Sequence, residues 1–433
     1  MKKTTSMSGS LRLRIVFIAG VLLLLGPGAA FAAEESAINA GDTAWVMIST
    51  ALVMLMTPGL AFFYSGMVRK RNFLSTMMQS FLMLCLISLQ WVLVGYTLAF
   101  GPDIGGVIGG LDFFGLLGVG MEAKGTIPHI IFMLFQGMFA VITVALITGA
   151  FAERIKFSAF VIFALVWTTL VYDPLCHWVW GGGWLGGDGA LDFAGGTVVH
   201  ISAGVSALVF AIVIGKRRGY PQESMPPHNL GWTLLGTGLL WFGWFGFNAG
   251  SALAADGIAA LAFVTTNTAA AAGGVAWVLI EWIRTGKPTA LGAASGAVAG
   301  LVAITPGAGF VEPMWAIVIG LGGGVFCYLG VSWLKPKLGY DDTLDVFGIH
   351  GIGGIWGAIA TGLFATVGAK GAFFGNPEQV LIQLKGVVAT AILAGVVTYV
   401  TIKILSVTIG IRVSKEDEAM GLDLSQHGES GYN

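Results

Sequence analysis

Two histidines with the same local spacing are the residues of this sequence best suited to chemistry. His200 follows Asp192 by eight residues, and His350 follows Asp342 by eight residues, 150 residues further along. Histidine is the side chain whose charge changes most readily near neutral pH, so a histidine pair can take up and release a proton. One such match carries little information. A single buried histidine would be sufficiently explained by a hydrogen bond to a backbone carbonyl. Because the spacing is repeated in both halves, we interpret the two histidines as functional.

A second group of candidate residues is aromatic and lies in glycine-containing segments, together with one serine. The group consists of Phe135, Phe139, Trp180, Trp244, Phe247 and Ser251. Aromatic faces attract cations, most strongly once the cation has lost water. A serine hydroxyl can accept a hydrogen bond from a small N–H donor. These residue types indicate a small cation that can lose its water and a proton, although membrane anchoring accounts for most other aromatic residues.

The elements that position these residues must lie in a membrane. Of the 433 residues, 56% are apolar and 10% charged, and the mean hydropathy is +0.83, so the chain is an all-α polytopic membrane protein. Its net charge of -1 gives no reason to expect a nucleic acid partner. Eleven apolar runs are long enough to cross a bilayer: 43–67, 73–100, 126–151, 157–178, 196–215, 229–248, 256–283, 289–306, 312–334, 346–367 and 378–410.

Both ends of the chain differ from this membrane region, which is predicted to cover residues 33–411. Residues 1–32 combine basic residues, a short apolar run and a small-residue end, which is typical of a cleaved secretory signal peptide. Residues 412–433 are polar and are predicted to be a disordered tail. Loop lysines and arginines concentrate after the odd-numbered spans, and only Lys124 and Lys370 fall on the opposite side. This asymmetry predicts an external N-terminus and a cytoplasmic C-terminus.

The histidine spacing also predicts the internal symmetry of the fold. His200 and His350 lie near the starts of spans five and ten, so each half has five spans and the second half must be inverted. Inverted repeats place their shared site near the midplane, where the two histidines should meet. The long eleventh span lies outside the repeat. Asp192 is predicted mainly to cap its helix, with attraction of cations as a secondary role.

Other polar residues give no sign of catalysis. Cys85, Cys176 and Cys327 are few and widely spaced, which predicts inert core thiols without disulfides. Asp173 is the main ionisable residue besides histidine inside spans one to ten, and no function is assigned to it. The sequence has no nucleophile and base pair, metal cluster or phosphate-binding loop. We therefore expect no enzyme activity, no metal and no cofactor.

Five long motifs in this sequence closely resemble the ammonium transporter family, which includes the Rhesus proteins, and in particular its bacterial Amt branch. They are PGLAFFYSG (58–66), ERIKFSA (153–159), DFAGGTVVHISAG (192–204), GWFGFNAGS (243–251) and DVFGIHGIGGIWG (345–357). The resemblance covers nearly the whole chain after residue 32. It implies a homotrimer in the bacterial cytoplasmic membrane, surrounded by lipid, with a separate pore for ammonium or methylammonium in each subunit.

The resemblance also implies roles for individual residues. Ammonium would be recruited by Phe139, Trp180 and Ser251, and Phe139 and Phe247 would form a gate above His200 and His350. The supporting residues would be Asp192, Trp244, Thr305 and Asp342. The C-terminal segment GLDLSQHGESGYN (421–433) matches tails that bind PII-type nitrogen-signal proteins.

Two alternatives to ammonium transport remain at the level of the sequence. The protein could be an ammonium sensor that signals to a PII protein, although only about 20 residues follow the last span. It could instead be a channel for neutral ammonia gas, although a cation site would be of little use to a gas channel.

Overall fold

A computed structural model of the protein describes residues 38–432. The predicted signal peptide, residues 1–32, lies outside the described residues. Eleven helices follow one another in the positions of the predicted spans. They are α1 (Ala40–Met67), α2 (Lys70–Phe100), α3 (His129–Phe151), α4 (Phe157–Gly187), α5 (Gly196–Ile214), α6 (Leu230–Trp244), α7 (Gly257–Thr285), α8 (Ala290–Ile304), α9 (Pro313–Leu338), α10 (Phe347–Phe364) and α11 (Glu378–Thr408).

The helical architecture agrees with the predicted all-α membrane fold. Within residues 38–432, nine of these helices are long and apolar enough to cross a membrane. The other two are α6, which continues into a π turn over Phe245–Ala249, and α8, which has 15 residues. A 15-residue helix rises only about 22 Å, which is less than the thickness of the hydrocarbon layer. The count of eleven spans therefore stays a prediction.

Two short β-hairpins cover one end of the helix bundle. In the first, β1 (Asp103–Ile104) pairs antiparallel with β2 (Ile108–Gly109). In the second, β3 (Ala123–Lys124) pairs antiparallel with β4 (Ile127–Pro128), which leads directly into α3. We call this end of the bundle the hairpin face.

The C-terminal tail is ordered, so the prediction of a disordered tail is wrong. It forms α12 (Lys415–Met420) and α13 (Leu422–His427) at the end of the bundle opposite the hairpins, which we call the tail face. The Asp423 carboxylate accepts hydrogen bonds from the N–H groups of Leu74 and Ser75 at 3.1 and 2.8 Å. The free N–H groups at the start of a helix favour a carboxylate there. Composition indicated a polar tail, but only folding brings these donors close to it.

The three cysteines are free, as the sequence predicts, but they are not all core residues. Cys176 and Cys327 are buried, whereas Cys85 is exposed on α2. The prediction of a core thiol is therefore wrong for Cys85. An apolar sequence context does not distinguish the core from a lipid-facing surface, because lipid tails and the protein core are similarly apolar.

Candidate functional site

Aspartates hold the starts of the two helices that carry the histidines. The Asp192 carboxylate accepts from the N–H groups of Gly195, Gly196 and Thr197 at 2.8, 2.6 and 2.7 Å. It also accepts from the Thr197 hydroxyl. This is the helix cap that the sequence predicts. In the second half, Asp342 accepts from the N–H of Phe347 at 2.8 Å.

Each histidine lies in a π-helical turn immediately after its cap. His200 belongs to the turn Gly196–Ile201 at the start of α5, and His350 belongs to the turn Phe347–Gly351 at the start of α10. A π turn widens the helix by one residue and changes the direction of its side chains, and such turns are frequent at functional sites. The repeated spacing in the sequence therefore corresponds to a repeated local structure.

Glycines allow the two histidine helices to approach each other closely. A Cβ atom on Gly204 would lie 2.2 Å from the Gly351 nitrogen and 2.4 Å from its Cα. A Cβ on Gly354 would lie 3.1 Å from the Gly196 carbonyl oxygen and 3.1 Å from the His200 Cβ. Close backbone contact at small residues is the usual way in which membrane helices pack. The glycines of HISAG and HGIGG thus bring the histidines together.

The histidines meet as the inverted repeat predicts. Nδ1 of His200 lies 3.2 Å from Nδ1 of His350, and both rings are buried. Their centroids are 5.3 Å apart with an interplanar angle of 24°. One of the two facing nitrogens must carry a hydrogen and the other must accept it.

A threonine behind His200 assigns the direction of that hydrogen bond. The Thr305 hydroxyl donates to the Leu301 carbonyl at 2.8 Å and accepts from Trp244 Nε1, which can only donate, at 3.0 Å. With its one hydrogen used, Thr305 accepts from His200 Nε2 at 3.3 Å. His200 Nδ1 then accepts from His350 Nδ1, by assignment from the network. Within residues 38–432, His350 Nε2 has no hydrogen-bond partner.

Two stacked phenylalanine rings lie on the hairpin side of His200. The centroids of Phe139 and Phe247 are 4.4 Å apart, and both rings are buried. The Phe247 ring lies 6.1 Å from the His200 ring and is nearly parallel to it. The stack lies between two cavities, since Phe139 lines the one on the hairpin face and Phe247 lines the one around the histidines.

An open cavity of about 340 Å³ lies outside this stack, on the hairpin face. We call it the Trp180 cavity, and its lining includes Gln136, Phe139, Trp180 and Ser251. Trp180 is held by its Nε1, which donates to the Asp192 carbonyl oxygen at 2.8 Å. The Ser251 hydroxyl donates to the Phe247 carbonyl at 2.8 Å. Its oxygen therefore remains free to accept a hydrogen bond from a ligand N–H.

Two further cavities continue from the phenylalanine stack towards the tail face. The histidine cavity, about 10 Å³, is lined by His200, His350 and mainly apolar residues, and this volume is at the lower limit for one water molecule. The second, about 170 Å³, shares Phe63 and His350 with the first. We call it the Glu281 cavity. The three cavities thus follow one another past the histidines, and we call this series of cavities the path.

The structure gathers all the predicted site residues except Asp342 along this path or against its walls. Asp342 acts from behind, by capping α10. Sequence reasoning missed Glu281 and Asp345, two carboxylates that line the Glu281 cavity. Glu281 lies near the end of the predicted span 256–283 and Asp345 just before the span 346–367, and no repeated spacing identified either of them. Asp173 lies in α4 and accepts from Gln90 Nε2 at 2.7 Å, and it lines none of these cavities.

Known proteins similar to this chain share both its sequence and its fold. A family model described as the Ammonium Transporter Family matches residues 44–432. An ammonium transporter of Bacillus subtilis is 56% identical over 400 residues, which is 90% of this chain and 98% of that protein. The crystal structure of Mep2 from Saccharomyces cerevisiae is 37% identical, covers 88% of each chain and has a TM-score of 0.83. A solved structure titled "Sensor Amt Protein" is 30% identical, covers 89% of this chain and 98% of its own, and has a TM-score of 0.85.

Proposed function

The chain belongs to the ammonium transporter family, and we propose that it moves ammonium across the membrane through the path past its paired histidines. The observation that carries this proposal is the change in environment along the path. The Trp180 cavity offers aromatic faces and the Ser251 oxygen, whereas the histidine cavity offers about 10 Å³ between mainly apolar walls.

The first step is recruitment of ammonium in the Trp180 cavity. The faces of Phe139 and Trp180, whose centroids are 6.0 Å apart, attract the cation, and Ser251 accepts one of its N–H groups. Methylammonium keeps the same charge and N–H donors, so it is the natural substrate analogue. Movement of Phe139 or Phe247 then admits the molecule to the histidines.

The second step is deprotonation, because the histidine cavity is unsuited to a bare cation. Burying an unpaired charge in apolar surroundings costs several kcal/mol or more, and a neutral ammonia molecule avoids most of that cost. Ammonia then crosses as the neutral species, while the proton passes through the bonded imidazoles of His200 and His350. Net transport is therefore electrogenic.

Supporting residues keep this arrangement in place. Asp192 caps α5 and holds Trp180 through its carbonyl oxygen, and Asp342 caps α10. Trp244 and Thr305 hold His200 from behind. None of these four needs to touch ammonium.

We infer the cellular setting from the family. The protein is a homotrimer in the lipid of a bacterial cytoplasmic membrane, with the hairpin face outside and the tail face in the cytoplasm. The docked tail supports binding of a PII-type signal protein there, because Asp423 holds α13 against the start of α2 and so gives the tail a defined surface.

Currents from purified protein in liposomes test the histidine mechanism. An ammonium concentration step should evoke a current that falls at least tenfold in His200→Leu and in His350→Leu. Cys85→Ser, on an exposed surface away from the path, should retain the wild-type current. Wild-type currents and selectivity in both histidine variants would contradict the proton path.

The sensor function is a second candidate, and one observation favours it. A structure titled as a sensor Amt protein has the same fold, with a TM-score of 0.85. Uptake of radiolabelled methylammonium by cells without other ammonium transporters would decide against a pure sensor. Uptake without any current would instead favour a channel for neutral ammonia gas.

A further inference from the structure

A lysine ammonium group lies over two of the aromatic rings that line the Trp180 cavity. Nζ of Lys124 lies 4.7 Å from the ring centroid of Phe132 and 5.8 Å from that of Phe100. These two rings pack edge to face with centroids 5.1 Å apart, and both line the Trp180 cavity. The distances are those of cation–π contacts.

The second hairpin holds Lys124 in this position. Lys124 pairs with Ile127 in the two-stranded sheet, and the hairpin passes directly into α3, which carries Phe132. The backbone therefore fixes the lysine relative to the aromatic wall.

In the part of the chain that the structure describes, Lys124 forms no direct ion pair with a carboxylate. Within residues 38–432, no carboxylate oxygen lies within 4.0 Å of Lys124 Nζ. The nearby acid in sequence, Glu122, pairs instead with His129, whose Nδ1 lies 2.9 Å from Glu122 Oε1. The positive charge of Lys124 is thus directed at the aromatic residues rather than at a partner.

We propose that Lys124 acts as a tethered cation that competes with ammonium at the mouth of the Trp180 cavity. Its ammonium group fills the Phe100 and Phe132 faces and repels incoming cations, so it raises the ammonium concentration needed for half-saturation. This inference rests on the proposed function, because it takes ammonium as the ligand of that cavity. A lysine end is an alkylammonium, which is the same chemical class as methylammonium.

The size of the effect follows from the position of Phe132 on α3. Phe132 precedes Phe139 by seven residues, or roughly 10 Å along a helix. Two unit charges at about that distance, in surroundings between water and protein surface, change a binding constant by roughly two- to tenfold. Salt screens such an interaction, because the Debye length is about 10 Å at 0.1 M ionic strength.

Concentration-dependent uptake of radiolabelled methylammonium into liposomes tests this role. Lys124→Gln should lower the half-saturating concentration about two- to tenfold at low ionic strength, and this difference should shrink in high salt. Lys124→Arg keeps the charge and should behave as wild type. Lys370→Gln removes the other predicted external lysine, which is exposed and makes no cation–π contact among the described residues, and it should leave the half-saturating concentration unchanged.

Two outcomes separate this inference from the proposed function. An equal or higher half-saturating concentration in Lys124→Gln overturns the tethered cation. Absence of uptake in every protein, wild type included, contradicts transport instead. In that case titration of ammonium chloride, with choline chloride as control, decides on binding alone: tighter binding by Lys124→Gln supports the inference, and unchanged or weaker binding overturns it.

Discussion

The two halves of the histidine site share one backbone plan but differ in their polar partners. Asp192 in the first half accepts from three backbone N–H groups between 2.6 and 2.8 Å and from the Thr197 hydroxyl. Asp342 accepts from the Phe347 N–H, and its Oδ1 is buried without a partner among the described residues. The position equivalent to Thr197, 150 residues later, holds Phe347 and supplies no hydroxyl.

The backbone itself is more alike than the side chains. The third residue after each aspartate has a positive φ, 121° at Gly195 and 60° at Asp345. Glycine adopts such angles freely, and aspartate tolerates them better than most residues. Asp345 also pairs with Lys335 at 2.6 Å. The two halves thus share a backbone geometry that different side chains can adopt.

The same contrast extends to the histidines. His200 is held from behind by Thr305 and Trp244, whereas His350 lines the Glu281 cavity and its Nε2 has no hydrogen-bond partner among the described residues. The Nε2 atom of His200 is therefore fixed by a hydrogen bond, whereas the Nε2 atom of His350 is not. An inverted repeat can therefore give two histidines the same backbone geometry, while neighbours that are not repeated give them different hydrogen-bond partners.

We expect the largest loss of ammonium current when the two histidine helices are forced apart. In Gly204→Ala, the new Cβ would lie 2.2 Å from the Gly351 nitrogen, so the histidine helices must move apart. We expect ammonium currents at least tenfold below wild type, or loss of folded protein on size-exclusion chromatography. The matched control is Gly395→Ala in α11, whose new Cβ would make only an ordinary contact of 3.6 Å. Equal behaviour of the two variants would contradict the close crossing.

The next effect comes from removing the partner that only His200 possesses. Thr305→Val keeps the shape but leaves Trp244 Nε1 and His200 Nε2 without an acceptor, at about 1–3 kcal/mol for each buried group. We expect the ammonium current to fall about tenfold because the hydrogen on His200 is no longer fixed. Thr305→Ser restores the acceptor and should recover most of the current. A wild-type current in Thr305→Val would show that transport does not depend on the hydrogen bond that only His200 makes.

The third prediction concerns the pH dependence of stability that Asp342 contributes. Burial raises the pKa of Asp342 to about 6, above its value of about 3.9 in an unfolded chain. The folded state then binds more protons between those values, so this group lowers stability as the pH rises from about 4 to 6. Two pKa units correspond to on the order of 2–3 kcal/mol. In Asp342→Asn this part of the pH dependence of thermal unfolding should vanish, and its persistence would contradict the assignment.

The smallest effect concerns the hydroxyl that distinguishes the two caps. Thr197→Val removes one of the donors to Asp192 and leaves the backbone donors in place. We expect a loss of about 1 kcal/mol in thermal stability. Thr197→Ser should match wild type. If Thr197→Val unfolds at the wild-type temperature, the additional hydrogen bond from the Thr197 hydroxyl to Asp192 contributes no stability.

Sequence patterns predicted most of the elements but not the order of polar contacts within the site. Helix positions followed from long apolar runs, and the meeting of His200 with His350 followed from equal spacing in an odd-span repeat. The ordered tail was missed, because Asp423 is stabilised by the start of α2, almost 350 residues away in sequence. The exposure of Cys85 was not predicted, because composition does not show which face of a helix points away from the core.

Hydropathy and residue spacing are local properties of the chain, and they were sufficient to predict a helical membrane protein with a duplicated aspartate and histidine pair. Three features became visible only in the folded chain: which nitrogen of His200 is held by Thr305, how closely Phe139 and Phe247 stack, and where Lys124 lies. Those features depend on distances of a few ångströms between residues on different helices. Packing of all the helices fixes such distances, and no single segment encodes them.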